Sequence, residues 1–199
     1  MAQISEENGW LLLESTPSGA FDFSGKAEVI MSPAAMRAAD IGGFGESGRE
    51  AWGKRGLIVG KMGRLPAALY AGCVFDDNTY VLIPKNEDHL PSVAAFVMSP
   101  EFCSSVRSRN RKVSVDTQSM VRIPFDHHRW SKAAREIYPS GTPSPASNDP
   151  TQWLFSGNPR GANYAIQVAV ARSVGYAWPR QAAVNFLGYT TQAADGLEE

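Results

Sequence analysis

Short apolar runs punctuated by glycine, proline and polar turn residues fill the first half of the chain, and helical spacing takes over later. Trp10-Leu11-Leu12-Leu13-Glu14, stopped by Ser15-Thr16-Pro17, predicts a strand. Ser32 before Pro33 and an alanine-rich run to Ala39 predicts a helix, because the serine hydroxyl can accept from a free N–H and proline fits the first helical position. Residues 41–48 form a glycine-rich loop. It lacks the Gly-Lys-Ser/Thr ending and the preceding apolar strand of a phosphate-binding loop, so it reads as a connector. Strands are predicted over 55–61, 67–71 and 79–84, with turn chemistry at Gly63 and at Asp76-Asp77-Asn78. Leu90 to Val97 predicts a helix on that sheet. Ser99-Pro100-Glu101 starts another, with Phe102 and Val106 on one face. Val113 with Val115, and then 120–123, predict short strands, and Asp126 caps a helix running through Trp130 to about Ile137.

From Tyr138 to Pro150 the composition turns to Pro, Ser, Gly and Asn, the signature of a linker or extended arm. Ala165 to Val174 predicts a helix, with Ile166, Val170 and Val174 spaced by four and Gly175 as its stop. An apolar stretch from Ala182 to Leu187 follows. The pattern predicts an α+β fold: a mixed, mainly antiparallel sheet with packed helices and a C-terminal helical extension. The expected boundaries are 1–137 for the α/β domain, 138–163 for the linker or arm and 164–199 for the extension. Trp130, Trp153 and Trp178 are expected as core or interface anchors.

Charge changes this picture. The 199 residues carry a formal charge of -1, yet residues 49–135 hold 14 Lys/Arg against 8 Asp/Glu. Arg49, Lys54, Arg55, Lys61 and Arg64 share their stretch only with Glu50. Arg107, Arg109, Arg111, Lys112 and Arg122 share theirs only with Asp116. Such clusters can meet phosphates, and arginine can also fork onto a guanine edge; a solvated face is the plainer reading of either cluster alone. Two cysteines do not make a disulfide framework, no apolar run approaches membrane-spanning length, and the first eight residues lack signal-peptide character. A cytoplasmic protein without membrane contact is expected.

Catalytic constellations are not found. His127 and His128 are adjacent, so on a helix they point about 100° apart and cannot grip one metal together. Cys73 and Cys103 read as buried thiols in apolar surroundings, and no nucleophile elbow or dinucleotide fingerprint occurs. No metal and no cofactor is expected.

Four ordered motifs are distinctive: Gly53-Lys54-Arg55-Gly56-Leu57-Ile58-Val59-Gly60-Lys61-Met62-Gly63-Arg64-Leu65-Pro66, Asp77-Asn78-Thr79-Tyr80-Val81-Leu82-Ile83-Pro84-Lys85, Ser99-Pro100-Glu101-Phe102, and Met120-Val121-Arg122-Ile123-Pro124-Phe125-Asp126. Together they resemble the C-terminal target-recognition region of restriction-modification adenine DNA methyltransferases, the large fused enzymes of the Eco57I and BREX/DISARM phage-defence type. That region is related to the TaqI-like specificity domain and to type I specificity subunits. The resemblance runs from about Gly53 to Pro179. The Asn/Asp-Pro-Pro-Tyr/Phe tetrapeptide that holds the target adenine in those enzymes is absent here, as is a glycine-rich donor loop after a strand.

The resemblance therefore implies a DNA-reading module without the methyl-transfer chemistry, not itself an enzyme. Double-stranded DNA is the expected partner, and a methyltransferase catalytic domain or subunit a second one. The expected DNA-binding residues are Lys54, Arg55, Lys61 and Arg64 around the first hairpin, and Arg107, Arg109, Arg111 and Lys112 as a second wall. Gln118 and Ser119 lie beside that wall as short-range donors and acceptors. For Arg122, a salt bridge at the sheet edge is an equal reading. In the family the stripe of the 165–174 helix would pack on the rest of the enzyme; here its exposure would favour a homodimer. The alternative function is a protein-interaction module that docks on a methyltransferase or another acidic partner without reading DNA. An unrecognised small enzyme is a third reading, with no constellation to support it.

Overall fold

The computed structural model describes residues 9–19, 22–25, 27–40 and 48–179. The predicted glycine-rich loop, except Gly48, and the predicted 182–187 stretch lie outside the described residues.

The chain folds as a mixed α+β structure with mainly antiparallel pairing. The strands form two sheets rather than one. In the first, β1 (Trp10–Glu14) pairs antiparallel with β2 (Ala27–Met31), from Trp10 opposite Met31 to Glu14 opposite Ala27. Between these two strands and the second sheet in sequence comes α1 (Pro33–Ala38), capped by the Ser32 hydroxyl at 3.1 Å from the Ala35 amide. The second sheet has β3 (Gly56–Gly60) at its centre, antiparallel to both β4 (Ala67–Tyr70) and β6 (Thr79–Leu82). Every residue of β3 is buried, as expected for a short β-branched and apolar strand covered on both faces. Gly56 is required there: a Cβ on it would lie 2.4 Å from the Leu82 carbonyl oxygen. The short β5 (Val74–Phe75) returns to the first sheet and pairs parallel with β1.

Helices cover the second sheet. α2 (Leu90–Val97) packs along α5 (His127–Ile137), and α3 (Pro100–Arg109) leaves α2 through the Ser99 cap. Phe96 sits at the centre of this layer, with ring centroids 5.4 Å from Phe102, 5.5 Å from Phe125 and 5.1 Å from Trp130. Phe102 and Val106 are both buried on the inner face of α3, four residues apart as the sequence predicts.

The strand predicted over 120–123 is a short helix instead, α4 (Thr117–Val121), and Val113 and Val115 lie in irregular chain. Local capping overrides the alternating pattern. The Asp116 carboxylate accepts from the Ser119 amide at 2.8 Å and from its hydroxyl at 3.0 Å, which satisfies the first free N–H of a helix. These two Ser119 donors also hold the Asp116 carboxyl below its ordinary value. Val115 enters the core alone, its amide donating to the Lys61 carbonyl at 3.0 Å.

The proline-rich segment after α5 lies against the body. Trp153 and Leu154 join the main core, and the Trp153 indole donates to the Ser24 carbonyl at 2.7 Å. α6 (Ala165–Ser173) docks through Val168 onto a small separate cluster with Phe155 and Trp178. Trp130, Trp153 and Trp178 are thus all buried anchors. Replacing Trp153 by Phe leaves the Ser24 carbonyl without that donor and should cost about 1 kcal/mol in a urea unfolding series. An unchanged midpoint would show that water replaces the bond.

Glu14 breaks the burial pattern. It is 0% exposed and neither carboxylate oxygen has a hydrogen-bond partner of good geometry. Burial pushes its carboxyl up to about 8, offset in part by the neighbouring Cys73 thiol and Ala71 backbone. Burial and Glu14 in turn push the Cys73 thiol up. The Tyr70 hydroxyl, which donates to the Cys73 carbonyl, is also pushed up by burial, Cys73 and Glu14.

Candidate nucleic-acid interface

The two cationic clusters are separated by more than forty positions in sequence, and α3 brings them together. Its first turn is fixed by the Ser99 cap and Pro100, and its inner face by Phe102 and Val106. The last turn therefore delivers Arg107 to the turn between β3 and β4. The Arg107 guanidinium donates twice to the Gly63 carbonyl, from Nε at 3.1 Å and from Nη2 at 2.9 Å. The same group donates to the carbonyls of Lys112 and of Val113, the latter at 3.3 Å. One side chain thus joins the 61–65 turn to the 110–115 loop, and Val115 adds the bond to Lys61.

Asn110 fixes the other side of that loop. Its carbonyl accepts from the Lys112 amide at 3.0 Å, and its amide donates to Asp116 and to Ser119, both at 2.9 Å. The loop is therefore closed on itself, with Arg109, Arg111 and Lys112 exposed along it. Arg64 is exposed on the adjoining turn, Gln118 is exposed on α4, and Arg122 is exposed at its C-terminal cap. No carboxylate among the described residues forms an ion pair with Arg64, Arg109, Arg111, Lys112 or Arg122; the surface pair that is present joins Arg129 to Glu101. Ser119, expected as a free donor or acceptor, is engaged with Asp116 and Asn110.

The first cluster does not stay together. Lys54 and Arg55 stand before β3 and Lys61 after it, so the strand separates them by about 3.3 Å per residue. Lys54 is exposed. Arg55 is half-buried and donates to the Thr142 hydroxyl at 2.7 Å, holding the proline-rich segment to the start of β3. Lys61 lies 4.4 Å above the Tyr80 ring, on the wall of a cleft of about 900 Å³ that also carries Glu50, Asp76 and Asp77. Asp76 is occupied with its own turn, accepting from Ser15 and from the Asn78 amide.

The structure therefore brings together the segments that carry Arg64, Arg107, Arg111 and Lys112, with the Lys61 backbone among them. Arg109, two residues after Arg107 on α3, projects about 200° round the helix from it, and Lys54 and Arg55 stand at the far end of β3. Arg107 was legible in sequence as a cation but not as a brace. The signal that could have marked it is its place in the last turn of a helix, where an arginine readily finds free carbonyls. Replacing Arg107 by Ala should speed hydrogen exchange of the Val115 amide at least ten-fold. Unchanged exchange would show that Asn110 holds the loop without it.

Among the described residues no group of three or more His, Cys, Asp or Glu side chains could hold a metal ion, although the rings of His89 and His127 stack at 4.2 Å. No described helix is long and apolar enough to cross a membrane. No protein-family model matches the chain, and no curated protein matches it.

Proposed function

We propose that this chain is a duplex-DNA recognition module, the reading part of a restriction-modification or phage-defence adenine methyltransferase system, with methyl transfer carried out by other residues than these. The observation that carries the reading is the joining of the 61–65 turn to the 110–115 loop by Arg107, which sets Arg64, Arg111 and Lys112 on adjoining segments without ion-paired carboxylates, with Arg109 exposed at the end of α3. Such cations take phosphate contacts and fix position on the duplex, while neighbouring groups meet base edges. Arg107, with its donors on carbonyls, supports the edge rather than adding to it. Gln118 and Arg122 extend the edge toward α4.

A double strand fits this edge better than a single strand. Single-strand binders stack bases on exposed aromatic rings. Tyr80, the ring beside Lys61, is covered by the lysine ammonium, and its cleft carries carboxylates that repel phosphate. Fluorescence anisotropy at low salt should show a labelled random 24-base-pair duplex binding, with unlabelled duplex competing better than either separated strand. Equal competition by single strands would refute the duplex reading.

A docking role has its own support. Ile166 and Val170 on α6 and Val174 at its C-terminal cap are 78%, 57% and 77% exposed, an apolar stripe spaced by four residues. This suits attachment to a methyltransferase subunit or to a second copy of the chain. Sedimentation of the chain alone, and then with a methyltransferase catalytic subunit, separates these two outcomes.

A further inference from the structure

Two exposed apolar side chains stand within the cationic edge. Val113 is 79% exposed and Met62 is 48% exposed. They belong to the two segments that Arg107 joins: Nη2 reaches the Gly63 carbonyl, next to Met62, and the Val113 carbonyl. Arg64 flanks Met62 on the turn, and Arg111 and Lys112 precede Val113 in the loop. Exposed apolar side chains are common on protein surfaces; these two differ in standing on the two segments that Arg107 joins, next to Arg64, Arg111 and Lys112. An apolar tip flanked by Arg64, Arg111 and Lys112, the last of which also feels the Asp116 carboxylate, matches the layout of a duplex groove, where phosphates line both rims and the base edges lie between them.

We infer that Val113 and Met62 form a base-contacting tip that meets thymine methyl groups in the major groove while the surrounding arginines and lysine hold the phosphates. The C5 methyl of thymine is the one apolar group on the major-groove edge, and apolar side chains are its usual partners. The minor groove presents no such group. This inference rests on the duplex reading and adds the chemistry by which that edge discriminates sequence.

The test uses the full chain and a duplex enriched from a randomised 24-base-pair pool. That duplex is resynthesised with uracil in place of thymine, one position at a time, which removes a methyl and leaves the pairing intact. Wild-type protein should lose about three- to five-fold in affinity at one or more positions, as expected for one buried methyl. The variants M62A and V113A should bind the thymine and uracil duplexes alike at those positions, and their salt dependence should match wild type because no charge is removed. Both residues are exposed, so both variants should keep the wild-type melting temperature. Uracil tolerated at every position by wild type would overturn the inference while leaving duplex binding intact. Uracil sensitivity persisting in both variants would also overturn it. Absence of any enrichable duplex would overturn the inference together with the reading beneath it.

Discussion

A variant carrying R109A, R111A and K112A is expected to lose most of its hold on duplex DNA while melting at the wild-type temperature. All three side chains are exposed, and none forms an ion pair with a described carboxylate, so their removal takes little from the fold. Each phosphate contact releases counterions and contributes a slope of about -0.9 in log affinity against log salt. Five contacts from Arg64, Arg109, Arg111, Lys112 and Arg122 give a slope of about -4.5, and the triple variant keeps about -1.8. Between 50 and 200 mM salt the wild-type affinity should then fall on the order of 500-fold and that of the variant about ten-fold. The comparison variant is K54A, whose lysine stands at the far end of β3. It should bind as wild type does. If K54A weakens binding as much as the triple variant, the interface lies on the other end of the sheet.

The second large effect concerns stability and comes from Glu14. Its carboxyl rises from 4.5 to about 8 on folding because burial disfavours the ion. The folded chain therefore keeps a proton that the unfolded chain releases above about pH 4.5, and stability falls as pH rises from there to about 8. At 1.36 kcal/mol for each pKa unit, the loss across this window has an upper bound of about 5 kcal/mol. The variant E14Q cannot ionise and should remove this slope. Its amide still meets few partners in the same site, so the net gain at pH 8 is smaller, on the order of 2 kcal/mol or about 5 °C in melting temperature for a chain of this size. Melting curves at pH 5 and pH 8 for both proteins check this. The wild type should melt lower at pH 8, and E14Q should melt at nearly the same temperature at both. A wild type that melts alike at pH 5 and 8 would show that Glu14 finds partners or water when ionised.

Local chemistry was the legible part of this fold. The caps at Ser32, Ser99 and Asp126 each act within three residues, so sequence alone places them, and the three strands of the second sheet are bounded by turn residues that act as locally. What depends on distant partners was not legible. The pairing of β1 with β5 joins Leu13 to Val74 and Glu14 to Phe75, and nothing near either strand specifies it. That pairing splits the strands into two sheets and buries Glu14. α4 was hidden for a different reason: Val113, Val115 and Met120–Ile123 look like strand residues, and the competing signal was a single capping aspartate, Asp116.

The candidate edge divides in the same way. Its charge was visible as two cationic runs, and their meeting was expected, yet the residue that joins them was read as a contact for DNA. Arg107 serves as the brace, because the end of α3 points its guanidinium at the carbonyls of another turn. Lys54 and Arg55 were grouped with Lys61 and Arg64 by sequence proximity. An extended strand between them sends the two pairs to opposite ends, where a turn or helix would have kept them together.

Titrating a labelled random duplex with the full chain across a salt series from 50 to 200 mM tests the central idea most directly. A straight fall in log affinity with a slope between about -4 and -5 is the predicted result. Binding that is absent at 50 mM, or that persists without salt dependence, would contradict a phosphate-gripping edge built from the 61–65 turn and the 110–115 loop.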